Sequence, residues 1–170
     1  MAHSFSMTRS VTFAETDMAG ILHFSNYFRY MEEAEHAFFR SLGFRVHACE
    51  RSGAWGWARR NASCDYQAPL HYEDEVELHL LVKEKRSKAI VYQVRFLLDG
   101  AEVARGEVTA VCVAKTDDGQ LRAAEIPPAV DAAVDAAAVD LPIMGARYLA
   151  ALGISFPLIK LLARWGSDVI

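Results

Sequence analysis

Cysteine is scarce in this chain: Cys49, Cys64 and Cys112 are the three among 170 residues. No two of them form a C-x-x-C pair and no histidine cluster stands beside them, so no metal site is expected. An odd number of thiols, with no apolar leader in MAHSFSMTRS, points to reduced cysteines and a cytoplasmic protein. No apolar run approaches the roughly 20 residues that cross a bilayer. Basic residues are not in excess, 18 Lys and Arg against 22 Asp and Glu. General nucleic-acid binding, which needs a basic surface, is therefore not expected. A net charge of −4 still leaves room for a local basic patch facing a phosphorylated ligand. Internal repeats are also lacking.

What is present is an ordinary globular composition, 52% hydrophobic and 24% charged, in a chain long enough to bury a real core. Val11 to Gly43 reads as a short strand over 8–15, a loop with Asp17 and Gly20, and a helix from about Asn26 to Leu42. Tyr27, Tyr30, Met31, Ala34, Phe38 and Leu42 recur at helical spacing and form its buried face. Ser25 is the expected N-cap and Gly43 the expected stop. Four further strands follow, over 57–67, 74–85, 88–98 and 101–114. Asp99-Gly100 marks a hairpin between the last two, because both residues tolerate positive φ. Consecutive strands on short turns favour an antiparallel sheet, and one long apolar helix needs a sheet face to pack on. The fold class is therefore α+β. The tail differs in composition: a short helix begun by prolines is expected in 127–140, and 141–170 is apolar with scattered cations. That last segment reads as a packing helix or subunit contact, with an interfacial membrane helix as the alternative.

Thr16-Asp17-x-x-Gly20, an apolar stretch, and Asn26-Tyr27 opening an aromatic helix resemble the hotdog-fold thioesterases of the 4-hydroxybenzoyl-CoA thioesterase type. Asp65-Tyr66-Gln67-Ala68-Pro69 followed by Asp74-Glu75-Val76 is similar to a second element of that family. The resemblance covers about residues 8–116. It implies a five-stranded antiparallel sheet wrapped around one long helix, in a domain over 1–123; the tail over 124–170, read as a helical C-terminal extension, is not part of the resemblance. It also implies a homodimer or homotetramer with active sites between subunits, and an acyl-CoA substrate with no cofactor beyond the coenzyme A that the substrate carries.

The family's catalytic carboxylate corresponds to Asp17. A carboxylate can act as general base for water or attack the thioester carbonyl itself. Taken alone, Asp17 would read as an Asx-turn or helix cap. A helix N-terminus supplies free N–H groups for an oxyanion, here near Phe24. His23 and Phe24 depart from the family's usual pair, in which an aromatic precedes the histidine or both are aromatic. Two readings stand for His23: it reaches a thioester carbonyl or water, or it is a partly buried histidine satisfied by the backbone. Glu15 departs from the first aspartate of the motif. Gly20 permits a tight turn or a close substrate approach, Asn26 can hold the loop backbone, and Tyr27 fits the core or an acyl pocket. Glu32, Glu33, Glu35 and His36 read as a solvated helix face. Arg59, Lys85, Arg86, Ser87 and Lys88 are candidates for the coenzyme A phosphates, with Arg60 a further cation. Trp55 and Trp57 would share one strand face and line an acyl pocket or fill the core. The expected activity is acyl-CoA hydrolysis, with an aromatic or medium-chain acyl group. A hotdog dehydratase or isomerase, and a non-catalytic module binding acyl-CoA or acyl-carrier protein, are the alternatives.

Overall fold

Alternating side chains and tight turns build the sheet, and one amphipathic helix fills it. The computed structural model describes residues 3–46, 48–50 and 53–136. Among these, the strands are β1 (His3–Ser10), β2 (Ala48–Glu50), β3 (Gly53–Tyr66), β4 (Glu75–Lys85), β5 (Ala89–Leu98), β6 (Ala101–Lys115) and β7 (Leu121–Ala123). The helices are α1 (Phe24–Ser41) and α2 (Pro128–Ala136). All strand pairs are antiparallel, in the order β1-β4-β5-β6-β3-β2, with β7 beside the end of β6. The five long strands are the expected sheet, extended by two strands of three residues each. This is the sheet-around-helix arrangement that the resemblance implies.

The hairpin at Asp99-Gly100 forms as the sequence implies, with φ of 49° and 75° at its two central residues. The first strand is displaced from its expected place: it ends at Ser10, and Phe13–Glu15 form a single 3₁₀ turn. A capping box causes the break. Glu15 Oε2 accepts from the Thr12 backbone N–H (2.9 Å) and from the Thr12 hydroxyl (2.7 Å). The apparent alternation of Val11 and Phe13 is misleading, since Phe13 is 77% exposed.

Helix α1 buries Tyr27, Tyr30, Met31, Ala34, Phe38 and Phe39. It stops in a Schellman motif: Phe44 N–H donates to Phe39 O (2.9 Å), Gly43 N–H to Arg40 O (3.0 Å), and Gly43 takes φ +83°. Its start differs from expectation. His23, not Ser25, is the N-cap, and its ring Nδ1 accepts from the Ser25 backbone. Asn26 at 2.8 Å holds the Glu15 carbonyl, so the 3₁₀ turn and the helix start are locked together.

The core continues past residue 123. Ile126, Val130 and Val134 belong to the same buried cluster as α1 and the sheet. Lys85 Nζ secures α2 through Asp131 and Asp135, each at 2.7 Å. The helix expected in 127–140 is therefore α2, starting at Pro128 as a proline-initiated helix should. The apolar segment 141–170 lies outside the described residues. No helix among the described residues is long and apolar enough to cross a membrane.

Glu35 breaks the expected solvated helix face: it is 2% exposed. Arg59 on β3 meets its carboxylate and also approaches Glu32 at 3.5 Å. Burial raises the Glu35 pKa, Arg59 opposes that and Glu32 reinforces it, leaving it at about 7. The folded chain then holds this proton more tightly than the unfolded chain. The associated stability is present at low pH and is lost as pH rises through the folded value. Denaturation at about pH 5 and about pH 8 should show the parent losing stability relative to Glu35→Gln as pH rises. A constant or oppositely moving difference contradicts this. A second packing constraint is Gly106 on β6: a Cβ there would overlap Met31 Sδ and lie 2.9 Å from Met31 Cε and 3.3 Å from Ser63 O. Gly106→Ala should cost roughly 1–3 kcal/mol in denaturant unfolding, and a cost near zero would show that Met31 relaxes freely.

Candidate active site

The segment between the 3₁₀ turn and α1 folds back on itself. Asp17 N–H donates to Ile21 O (2.9 Å) and Gly20 N–H to Asp17 O (3.0 Å), while Thr16 and Leu22 form an isolated bridge. Gly20 takes φ +76°, a conformation that side chains disfavour. A Cβ there would meet nothing within 4 Å among the described residues, so within the chain it is the positive φ of the turn that requires the glycine. Leu22 N–H donates to Leu70 O (2.7 Å), and Ile21 bridges His71, which pins the loop to the segment before β4.

This folding brings Asp17, Ile21, Leu22, Phe24 and Tyr27 to one wall of a cleft of about 880 Å³, counted to its open mouth. Tyr66, Gln67, Ala68 and Pro69 form the other wall. The two sequence elements that resembled one family, some fifty residues apart, thus face each other. The Asp17 carboxylate is half-buried, and its Oδ1 accepts the Ala19 N–H at 2.8 Å. The Asx-turn anticipated as a purely structural role is therefore present, and it orients the carboxylate at the cleft. Phe24 is the first residue of α1, where helix geometry leaves the N–H without an intrahelical acceptor. Ser25 and Asn26, by contrast, place their N–H groups on His23 Nδ1 (3.4 Å) and His23 O (2.9 Å). The cleft thus holds a carboxylate and the positive end of a helix macrodipole.

Tyr27 is buried, packing edge-on against Tyr66 with centroids 4.8 Å apart and against Phe96 at 5.1 Å. Burial, with Cys64, Tyr66 and Asp74 nearby, pushes its phenol up to about 12, so it is neutral at ordinary pH. Tyr66 was not singled out as a site residue from sequence. It is 47% exposed, lines the cleft, and donates its hydroxyl to Phe24 O at 3.3 Å. Its place in the Tyr66–Pro69 element was the available signal.

His23 does not line this cleft. Its Nδ1 lies 2.8 Å from Ser25 Oγ and its ring stacks on Phe24 at 4.5 Å, as a helix cap. Glu15 is also structural. Burial would raise its pKa, but the Thr12 backbone and hydroxyl, Tyr30 and Arg9 outweigh that and lower it. Arg59 and Lys85, expected to stand free for phosphates, are committed to internal ion pairs with Glu35 and with Asp131 and Asp135. Arg86 pairs with Glu84 at 2.7 Å on the surface. Ser87 and Lys88 serve the fold through their carbonyls, which accept from Ile126 and Cys112 at 2.8 Å each. None of residues 85–88 lines the Asp17 cleft. Trp57 stacks on Phe39 (5.6 Å) and meets Trp55 edge-on (6.4 Å), so both tryptophans share one face, against the core.

Residues 11–134 match the family model of the thioesterase-like superfamily. The 4-hydroxybenzoyl-CoA thioesterase of Pseudomonas sp. (strain CBS-3) is 30% identical over 135 residues, covering 75% of this chain and 94% of the relative. A crystal structure of a protein from Aquifex aeolicus superposes with a TM-score of 0.70 at 33% identity, covering 76% of this chain and 98% of that one. The structure of a gentisyl-coenzyme A thioesterase superposes with a TM-score of 0.65 at 28% identity, covering 77% and 99%. The chain belongs to the thioesterase-like superfamily, as a thioester hydrolase with the hotdog fold.

Proposed function

We propose that the chain hydrolyses an aromatic acyl-coenzyme A to the free acid and coenzyme A at the cleft between Asp17 and Tyr66. The observation that carries this reading is the shared cleft: one carboxylate and one helix N-terminus face the same space, walled by Tyr27 and Tyr66. With Oδ1 holding the turn through Ala19, the other oxygen of Asp17 either takes a proton from water or attacks the thioester carbonyl. The Phe24 N–H is the donor for the developing oxyanion, reinforced by the α1 dipole. In this reading His23 supports catalysis by capping α1, not by touching substrate. Gly20 and Asn26 act likewise, by shaping the loop. The aromatic acyl group is supported by the aromatic walls and by the substrates that relatives' names carry, 4-hydroxybenzoyl-CoA and gentisyl-coenzyme A. Coenzyme A phosphates are assigned to Arg86 and Lys88, both exposed. The surface pair of Arg86 with Glu84 is weak enough to exchange for a phosphate.

The working unit is a homodimer in this reading. β2 covers the outer edge of β3 over Gly53–Trp55 alone, and from Gly56 to Tyr66 that edge has no strand beside it among the described residues. Such an edge is a template for a second copy. Antiparallel pairing of two β3 edges would set the Arg59 end of one copy near the Tyr66 end of the other.

Two measurements check the proposal. Asp17→Asn should lower kcat/KM for thiol release from aromatic acyl-CoAs by roughly 10²–10⁴-fold, and unchanged release would remove Asp17 from the chemistry. Sedimentation should give the mass of two chains or of a multiple of that pair, and a monomer that is fully active contradicts the β3 pairing.

A further inference from the structure

A second cavity lies further along the same α1–β3 groove. It occupies about 590 Å³ including its mouth. Its walls are mostly apolar, with Phe28 and Met31 from α1, Val94 from β5 and Val108 from β6. Five polar side chains also line it: Arg29, Glu32, Glu35, Arg59 and Tyr92. Tyr92 is the unusual member. It is 1% exposed, and its hydroxyl has no hydrogen-bond partner among the described residues. A buried hydroxyl left unpaired is costly and rare, and it marks a position where an acceptor is to be supplied. Burial drives the Tyr92 pKa well above its ordinary value, so the group is a neutral donor.

The cavity shares no lining residue with the Asp17 cleft, but it starts one helical turn beyond it: Phe24 lines the first and Phe28 the second. On β3, Tyr66 lines the first and Ala62 the second. An acyl group whose thioester sits at Phe24 can extend along this groove in either copy of the pair. Charge then restricts what its far end can be. Glu35 and Glu32 face Arg59, and Arg29 is the other cation on the wall, so the lining carries two carboxylates against two guanidinium groups. Arg59 takes up both carboxylates and Arg29 is exposed, so no enclosed cation is left for an anionic end, while a buried donor without an acceptor among the described residues remains.

We infer that Tyr92 is a specificity-determining residue, which reads an uncharged oxygen, a hydroxyl or keto group, at the end of the acyl group remote from the thioester. The Glu35–Arg59 pair lines the same cavity and completes its polar side, opposite the apolar wall of Phe28, Met31, Val94 and Val108. This rests on the proposed function, and it adds a residue and a chemical group that the reaction itself does not require.

The test uses Asp17→Asn, so that the ligand persists, with and without Tyr92→Phe. Calorimetry gives the affinities for benzoyl-CoA, its 3- and 4-hydroxy derivatives, and 4-carboxybenzoyl-CoA as the charged control. At least one hydroxylated ester should bind more tightly than benzoyl-CoA, and Tyr92→Phe should reduce that preference roughly tenfold. Melting of Tyr92→Phe should be no lower than the parent's, since no hydrogen bond among the described residues is lost. A preference that survives Tyr92→Phe, no preference at all, or tightest binding of the carboxylate each overturns the inference. Failure of the underlying reading shows separately, as no thiol release from any of these esters by the unsubstituted protein. Should Tyr92→Phe unfold, Glu35→Gln gives the second measurement, and an unaltered preference there overturns the shared polar side.

Discussion

Glu15 joins the parts of the molecule that the site depends on. Its carbonyl accepts both the His23 N–H at 2.9 Å and the Asn26 side chain at 2.8 Å, holding the start of α1. Its carboxylate takes the Thr12 backbone and hydroxyl, the Tyr30 hydroxyl at 2.8 Å and Arg9 at 2.5 Å. Arg9 in turn lies over the Tyr30 ring, 4.2 Å from its centroid, and reaches Glu33 at 2.9 Å. One residue therefore ties the end of β1, the 3₁₀ turn and the helix together. The loop carrying Asp17 spans two points of that anchor. Its carboxylate keeps a defined relation to the Phe24 N–H because both ends of the loop are held. Placement of this kind matters in acyl transfer, where misplacement by about an ångström costs orders of magnitude in rate.

The fold is legible in the sequence wherever a local signal carries it. The helical spacing from Tyr27 to Leu42, the alternation from Val76 to Val82 and the Asp99-Gly100 turn are each sufficient by themselves. The first strand is misread because Val11 and Phe13 imitate a period of two, while the deciding contact, Glu15 with Thr12, is a side-chain bond that ends the strand. Glu35 is misread for a different reason. Its helical neighbours Glu32 and Glu33 are exposed, and its partner Arg59 arrives from a strand 24 residues away. No local pattern announces such a pair.

The site divides in the same way. Asp17, Gly20, Asn26 and Tyr27 are recognisable because they sit in one short motif, and the structure gathers them around one loop. Tyr66 completes the cleft from a distance, and only its family-like surroundings point to it. The cations illustrate the opposite limit. Lys85, in a basic turn, reads as a phosphate ligand until it is seen to bind Asp131 and Asp135 of α2, a helix that local sequence cannot place against β4. Burial and pairing decide whether a charge is free for a ligand, and both are properties of the assembled fold.

In the proposed reaction the cleft polarises a thioester carbonyl between the Asp17 loop and the N-terminus of α1. Infrared difference spectroscopy of an aromatic acyl-CoA, labelled with ¹³C at the carbonyl and bound to the Asp17→Asn protein, observes that bond directly. A thioester carbonyl band shifted to lower wavenumber than in free ester is expected, because in that reaction the Phe24 N–H and the helix dipole draw charge onto the oxygen. A bound ester whose carbonyl band stays at its solution position would contradict it.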